Sequence, residues 1–125
     1  MNTKVRSFLI QRARDKGNEL VRYQELSDKC KLGLNMSNID HRNEIGRILG
    51  EISRYEHNNG RRPLLSALVI RAGDNYEGDG FFKLADELDF GDWKKLRKSN
   101  FDILEINKCI EFWTDDSNYL KYKDA

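Results

Sequence analysis

Val21-Arg22-Tyr23-Gln24-Glu25-Leu26-Ser27, then Arg42-Asn43-Glu44-Ile45-Gly46-Arg47-Ile48-Leu49, then Arg62-Pro63-Leu64-Leu65-Ser66-Ala67-Leu68-Val69-Ile70 are the segments on which the fold turns. In the first, Leu26 and Cys30 lie one turn apart and predict a short helix over Tyr23 to Cys30. In the second, Ile45, Ile48, Leu49, Ile52 and Tyr55 form an apolar stripe at helical spacing, which predicts a long helix from Asp40 to Asn58. Ser37-Asn38-Ile39-Asp40 ahead of it has the spacing of a capping box, and Gly60 lies beyond its end. Pro63 cannot continue that helix, and Leu64 to Ile70 is a mostly apolar run of seven bounded by turn residues, which reads as a buried strand. The order is short helix, long helix, strand.

Outward from this centre, Val5, Phe8, Leu9 and Ala13 predict an amino-terminal amphipathic helix, with Gly17 as its left-handed stop. Leu20 and Val21 are too short for more than a bridge. Ala72-Gly73-Asp74-Asn75 and Tyr76-Glu77-Gly78-Asp79-Gly80 supply turn chemistry after the strand. Phe82, Ala85 and Leu88 mark a helix from Phe81 to Leu88, and Ile103, Ile106, Ile110 and Trp113 mark another from Asn100 to Thr114, opened by Ser99-Asn100-Phe101-Asp102. Gly46 and Gly50, four apart inside the long helix, cost helix propensity and suggest a second backbone packed closely there.

The chain has 125 residues, 38% hydrophobic, enough for one modest core and too few for two independent ones. The expectation is one domain over residues 1–125, α+β and mostly helical. Charged residues make up 34% yet leave a net charge of +1, so no whole-protein field draws in nucleic acid or an anionic membrane. The charge is uneven: Met1 to Met36 holds eight Lys or Arg against four Asp or Glu, and Ser99 to Ala125 holds three against six. Cys30 and Cys109 stand apart with no Cys-x-x-Cys pair or clustered histidines, so neither a disulfide framework nor a zinc site is suggested. Met1 to Gln11 lacks the apolar core of a signal peptide, and no stretch could span a membrane, so a cytoplasmic protein is expected.

Val21-x-Tyr23-Gln24-x-Leu26 and Tyr76-x-Gly78-x-Gly80, around the helix–helix–strand order, resemble the winged helix-turn-helix DNA-binding domain of the alkylguanine-DNA alkyltransferases and alkyltransferase-like proteins. The resemblance covers roughly Val21 to Leu88. It implies a winged-helix-like centre over residues 21–88 with added amino- and carboxy-terminal helices, and a major-groove role for the Asp40 to Asn58 helix. It also implies that Tyr23 matches the tyrosine that helps rotate a nucleotide out of the duplex, and that Arg42 lies near the arginine that fills the vacated stack. Three residues separate Arg42 from Gly46 where the family has two, and the family's Pro-Cys-His-Arg is replaced by Pro63-Leu64-Leu65-Ser66. No thiol sits at the acceptor position.

The expected function is therefore noncatalytic nucleic-acid binding through Tyr23, Arg42, Arg47, Arg61, Arg62 and Arg71, without a cofactor or metal. Asp40, Glu44, Glu51 and Glu56 on the long helix outnumber Arg42, Arg47 and Arg54 and oppose phosphate contact. The compensating cations are then Arg61, Arg62 and Arg71, with Lys4, Arg6, Arg12, Arg14 and Lys16 on the first helix. The alternative is a protein-interaction or small-ligand module built on Tyr76, Gly78, Gly80, Phe81 and Trp93, where the Gly78-Asp79-Gly80 turn could face an anion. Catalytic patterns are thin. His41 and His57 are about 24 Å apart along one helix, cannot share a metal and read as surface histidines. Ser66 lacks a nucleophile elbow, and Asp74, Asp79 and Asp92 with Lys94 form no recognisable nuclease motif. Incubation with O6-alkylguanine DNA should leave the protein mass unchanged; an alkyl adduct seen by intact-mass spectrometry would overturn this reading.

Overall fold

The computed structural model describes residues 1–73 and 77–125; the expected turn residues Asp74, Asn75 and Tyr76 lie outside the described residues. The chain is α+β and mostly helical, in the order α1 (Thr3–Ala13), β1 (Val21–Arg22), α2 (Tyr23–Lys29), α3 (Ile39–Asn58), a 3-10 turn (Leu65–Leu68), β2 (Val69–Ile70), α4 (Asp79–Glu87), α5 (Trp93–Lys98), α6 (Phe101–Thr114) and α7 (Asp116–Tyr122). β1 and β2 pair in parallel, Val21 opposite Val69 and Arg22 opposite Ile70, and form the one sheet among the described residues.

The three early helices follow their apolar periods. Asn2 caps α1 by accepting from the Val5 amide at 2.9 Å, and Val5, Leu9, Ile10 and Ala13 are buried along one face. α3 buries Ile45, Ile48, Leu49 and Ile52. Its cap is Asn38 rather than Ser37: the Asn38 side chain accepts from the Asp40 amide at 2.8 Å and the His41 amide at 3.3 Å. Ser37 instead bonds the Asn35 side chain, so the capping box does not form.

The expected strand over Leu64 to Ile70 is corrected: only Val69 and Ile70 are strand, and Leu65 to Leu68 wind into a 3-10 turn with every residue buried. A short apolar run does not distinguish a buried strand from a buried turn. Here side chains from two helices satisfy the backbone that a sheet would otherwise pair. Ser53 Oγ accepts from the Ser66 amide at 3.1 Å, Glu105 accepts from the Leu64 amide at 3.0 Å, and the Cys109 thiol donates to the Leu64 carbonyl at 3.3 Å. The turn then sends Leu65 and Leu68 into a core with α1, α2, α3 and Trp113, and Ala67, after Leu64, into a second cluster with Phe81, Phe82, Ala85 and Phe101.

α6 is rotated from its expected face. Phe101, Asp102, Glu105, Cys109 and Trp113 are buried, whereas Ile103 is 49% exposed. Glu105 and Cys109 point inward because their polar atoms serve the 3-10 segment. α5 and α7 bury no residue, so neither has an apolar stripe to read from sequence. Both carry a cap, Asp92 accepting from the Lys95 amide and Asp115 from the Asn118 amide.

The far end of α3 is held by charge. Glu56, fully buried, accepts from Arg6 Nε at 2.9 Å and from Arg62 Nε, and Arg6 donates further to the Tyr122 and Lys123 carbonyls at 2.9 and 2.8 Å. The Tyr55 ring lies beneath both guanidiniums, 5.7 and 5.6 Å from their centres. Removing one partner of a buried ion pair leaves an uncompensated charge, at a cost of about 3–5 kcal/mol. Glu56→Gln should lower the free energy of unfolding by that amount in urea titrations; a loss below about 1 kcal/mol, the range of exposed pairs, would show that the cluster does not hold the fold.

Candidate functional site

Tyr23 opens α2, Arg42 lies in the first turn and a half of α3, and Arg71 follows β2 directly. The parallel pairing of β1 with β2 brings the first and last together, because Val21 and Val69 share a register position just before each. All three line a concavity of about 560 Å³, with Arg22, Met36, Ile45, Gly46 and Gly78. A second concavity of about 390 Å³ shares Tyr23, Arg42 and Gly46 with it and continues along Gly50, Arg54, Ser66, Gly80, Phe81 and Lys83. The two make one groove along α3 from Arg42 to Arg54.

The glycines of α3 are explained by that groove and not by a close-packed backbone, which corrects the sequence expectation. A Cβ at Gly46 would have no neighbour within 4 Å, and one at Gly50 would meet only the Arg54 side chain. Their lack of side chains lowers the floor between Tyr23 and α4.

Tyr23 is half-buried, and burial, followed by the nearby Glu77, raises its phenol above the ordinary range against the opposing pull of Arg71. At neutral pH it presents a neutral hydroxyl. Arg42 is exposed and donates to the Met36 carbonyl at 3.2 Å. Arg22 donates to the Arg71 carbonyl at 2.7 Å, linking the two strands beside the groove.

Other expected contact residues are placed elsewhere. Arg62 is 3% exposed and bonded to Glu56, so its guanidinium is withdrawn from any surface, and Arg6 is lost as a compensating cation for the same reason. Arg47 is exposed but held by Glu44 at 2.6 Å and Glu51 at 3.5 Å; its hydrogen bond keeps the Glu44 carboxyl below the usual range. Arg54 is bidentate to Glu87 on α4, at 2.6 and 3.1 Å. Arg61, with a left-handed backbone at φ 56°, bonds His57 and lines a separate concavity of about 360 Å³ with Pro63 and Lys108. The groove thus brings together Tyr23, Arg42, Arg71, Gly78, Gly80 and Phe81, and omits Arg47, Arg61, Arg62 and Trp93.

His57 is no surface residue. It is 7% exposed, its ring lies 5.1 Å from that of Phe90, and burial, with Arg61 next, lowers its pKa. His41 accepts from the Asn35 amide at 2.9 Å and braces the loop before α3. Both cysteines are buried with thiols pushed up by that burial, and neither lines the groove.

Two features escape sequence reading. Glu77 lies between glycine-rich segments that read as turns, where carboxylates are ordinarily solvated, yet it is 3% exposed and its oxygens have no hydrogen-bond partner among the described residues. Burial, then Asp102, pushes its pKa up to about 10, with Arg71 opposing. The second is α5, Trp-Lys-Lys-Leu-Arg-Lys, whose charge run was the available signal.

Comparison with protein-family models, curated proteins and solved structures finds no match to this chain. No helix among the described residues is long and apolar enough to cross a membrane.

Folded Glu77 holds its proton from its ordinary value of 4.5 up to about 10, while the unfolded chain releases it at the low end. The folded state binds more protons across that window, so stability falls as pH rises through it. Glu77→Gln should flatten this fall and make the variant more stable than the parent at about pH 8, the gap closing toward the acid end. Urea titrations of both proteins at several pH values measure it; parallel profiles would refute it.

Proposed function

We propose that the chain is a noncatalytic nucleic-acid-binding protein of winged-helix type that takes a DNA duplex on the groove between α2, α3 and α4. The observation that carries this reading is the convergence of Tyr23, Arg42 and Arg71, from three separate elements, on one open concavity floored by Gly46. Arginines supply forked donors for phosphate oxygens, and a glycine floor admits a close approach by the partner's backbone. The order α2, α3, β2, followed by a turn at Ala72 and Gly73, supports the winged-helix assignment, with α3 as the presented helix. Internal pairing of Arg47 and Arg54 favours phosphate contact at the amino-terminal end of α3 over contact along its length. Tyr23 is positioned to contact a sugar or base with its neutral hydroxyl.

A second reading, a small-ligand or protein-interaction module, is favoured by one observation: Met36, Ile45 and Ala72 give the larger concavity apolar walls beside the Tyr23 ring. The readings differ in salt dependence. Phosphate contacts displace counterions, about 0.9 in the logarithmic slope for each contact, whereas apolar burial does not.

Fluorescence anisotropy of a labelled duplex over a salt series tests the proposal. Arg42→Gln with Arg71→Gln should weaken binding at least tenfold and make the slope shallower by about 1.8, while Tyr23→Phe should change ordinary duplex binding little. Absence of DNA or RNA binding by the parent at low salt, where attraction is greatest, would move the function to the second reading.

A further inference from the structure

Beyond the groove, the described residues hold a concentration of five cations, of which all but Arg97 are free of ion pairs. α5 carries Lys94, Lys95, Arg97 and Lys98 in six residues, and Lys83 of α4 faces it. Lys83, Lys94 and Arg97 gather around the Trp93 indole, 5.0, 5.6 and 5.4 Å from the ring centre. The electron-rich ring offsets repulsion between cations that would otherwise spread apart.

The neighbouring carboxylates are already engaged. Asp79 pairs with Arg97 at 2.8 Å, Asp86 accepts from the Trp93 amide at 3.0 Å, and Asp92 caps the helix at the Lys95 amide. Lys83, Lys94, Lys95 and Lys98 are exposed and form no ion pair among the described residues. This contrasts with Arg47 and Arg54 on α3, whose charges are answered by Glu44, Glu51 and Glu87.

The patch is continuous with the groove. Lys83 lines the same concavity as Arg42, and it also lies over Trp93, so it links the groove to the cations of α5.

We infer that the α4–α5 corner is a second arm of the interface, in which Lys83 and Lys94 beside Trp93, with Lys95 and Lys98 of α5, meet the sugar-phosphate backbone of a nucleic acid lying in the groove. The inference rests on the nucleic-acid reading above and extends it to residues outside the groove. A lipid surface fits less well. Helices that lie on membranes bury apolar residues in the bilayer, whereas Trp93 and Leu96, the apolar residues of α5, pack against the second core cluster.

The test compares the parent, Arg42→Gln and the triple variant Lys94→Gln, Lys95→Gln, Lys98→Gln by anisotropy on a duplex long enough to cover both arms. The triple variant should keep the parent's thermal melt, since none of the three lysines is buried or ion-paired. It should lose affinity and show a salt slope shallower by up to about 2.7, or 0.9 for each lysine on a phosphate. Duplex should also quench Trp93 emission in the parent and not in Trp93→Phe, because the other tryptophan, Trp113, is fully buried.

An unchanged slope in the triple variant, with Arg42→Gln still weakened, would overturn the second arm and leave the groove reading standing. A parent that binds no nucleic acid would overturn both. Lysine-dependent binding to phosphatidylserine vesicles alongside lysine-independent binding to the duplex would identify a lipid surface and overturn the inference.

Discussion

Glu56 between Arg6 and Arg62 is the constraint on which the arrangement of helices depends. A carboxylate on the inner face of α3 has no access to water, so both oxygens need strong donors, and among the described residues guanidiniums from α1 and from the segment after α3 supply them. Arg6 then reaches two carbonyls at the end of α7. One buried negative charge thereby ties together residues 6, 56, 62 and 122–123. It fixes the carboxy-terminal end of α3 and leaves the amino-terminal half, with Arg42 and Gly46, open as the wall of the groove.

A second bracket organises the middle of the chain. Ser53, Glu105 and Cys109 hold the segment from Leu64 to Ser66 by its backbone, so it turns tightly and delivers β2 beside β1. That delivery places Arg71 next to Tyr23. The polar side chains of α3 and α6 thus act on the candidate site from a distance, through the path of the strand between them.

Charge in this protein is sorted by pairing more than by amount. A net charge of +1 conceals arginines on α3 that are answered by glutamates on the same helix or on α4, and lysines on α5 that are not. Because exposed pairs are worth little to stability, the effect of Glu44, Glu51 and Glu87 is chiefly to remove attraction from the middle of α3. Among the described residues, Arg42 at the start of α3 and Lys94, Lys95 and Lys98 on α5 form no ion pair.

The sequence by itself determined the helices whose burial is apolar. α1, α2 and α3 follow directly from Val5 to Ala13, Leu26 and Cys30, and Ile45 to Ile52, because a hydrophobic stripe at helical spacing has one stable use. The mostly helical α+β character was legible for the same reason. Tertiary structure alone decided the rest. Leu64 to Leu68 became a 3-10 turn because distant side chains met its backbone, and α6 rotated because Glu105 and Cys109 were needed inside. Arg62 and His57, polar residues that sequence assigns to the surface, were buried because Glu56 and Phe90 lay beside them. Tyr23, Arg42 and Arg71 came to line one concavity only when two short strands paired, since spacing along a chain carries no information about which side chains share a groove.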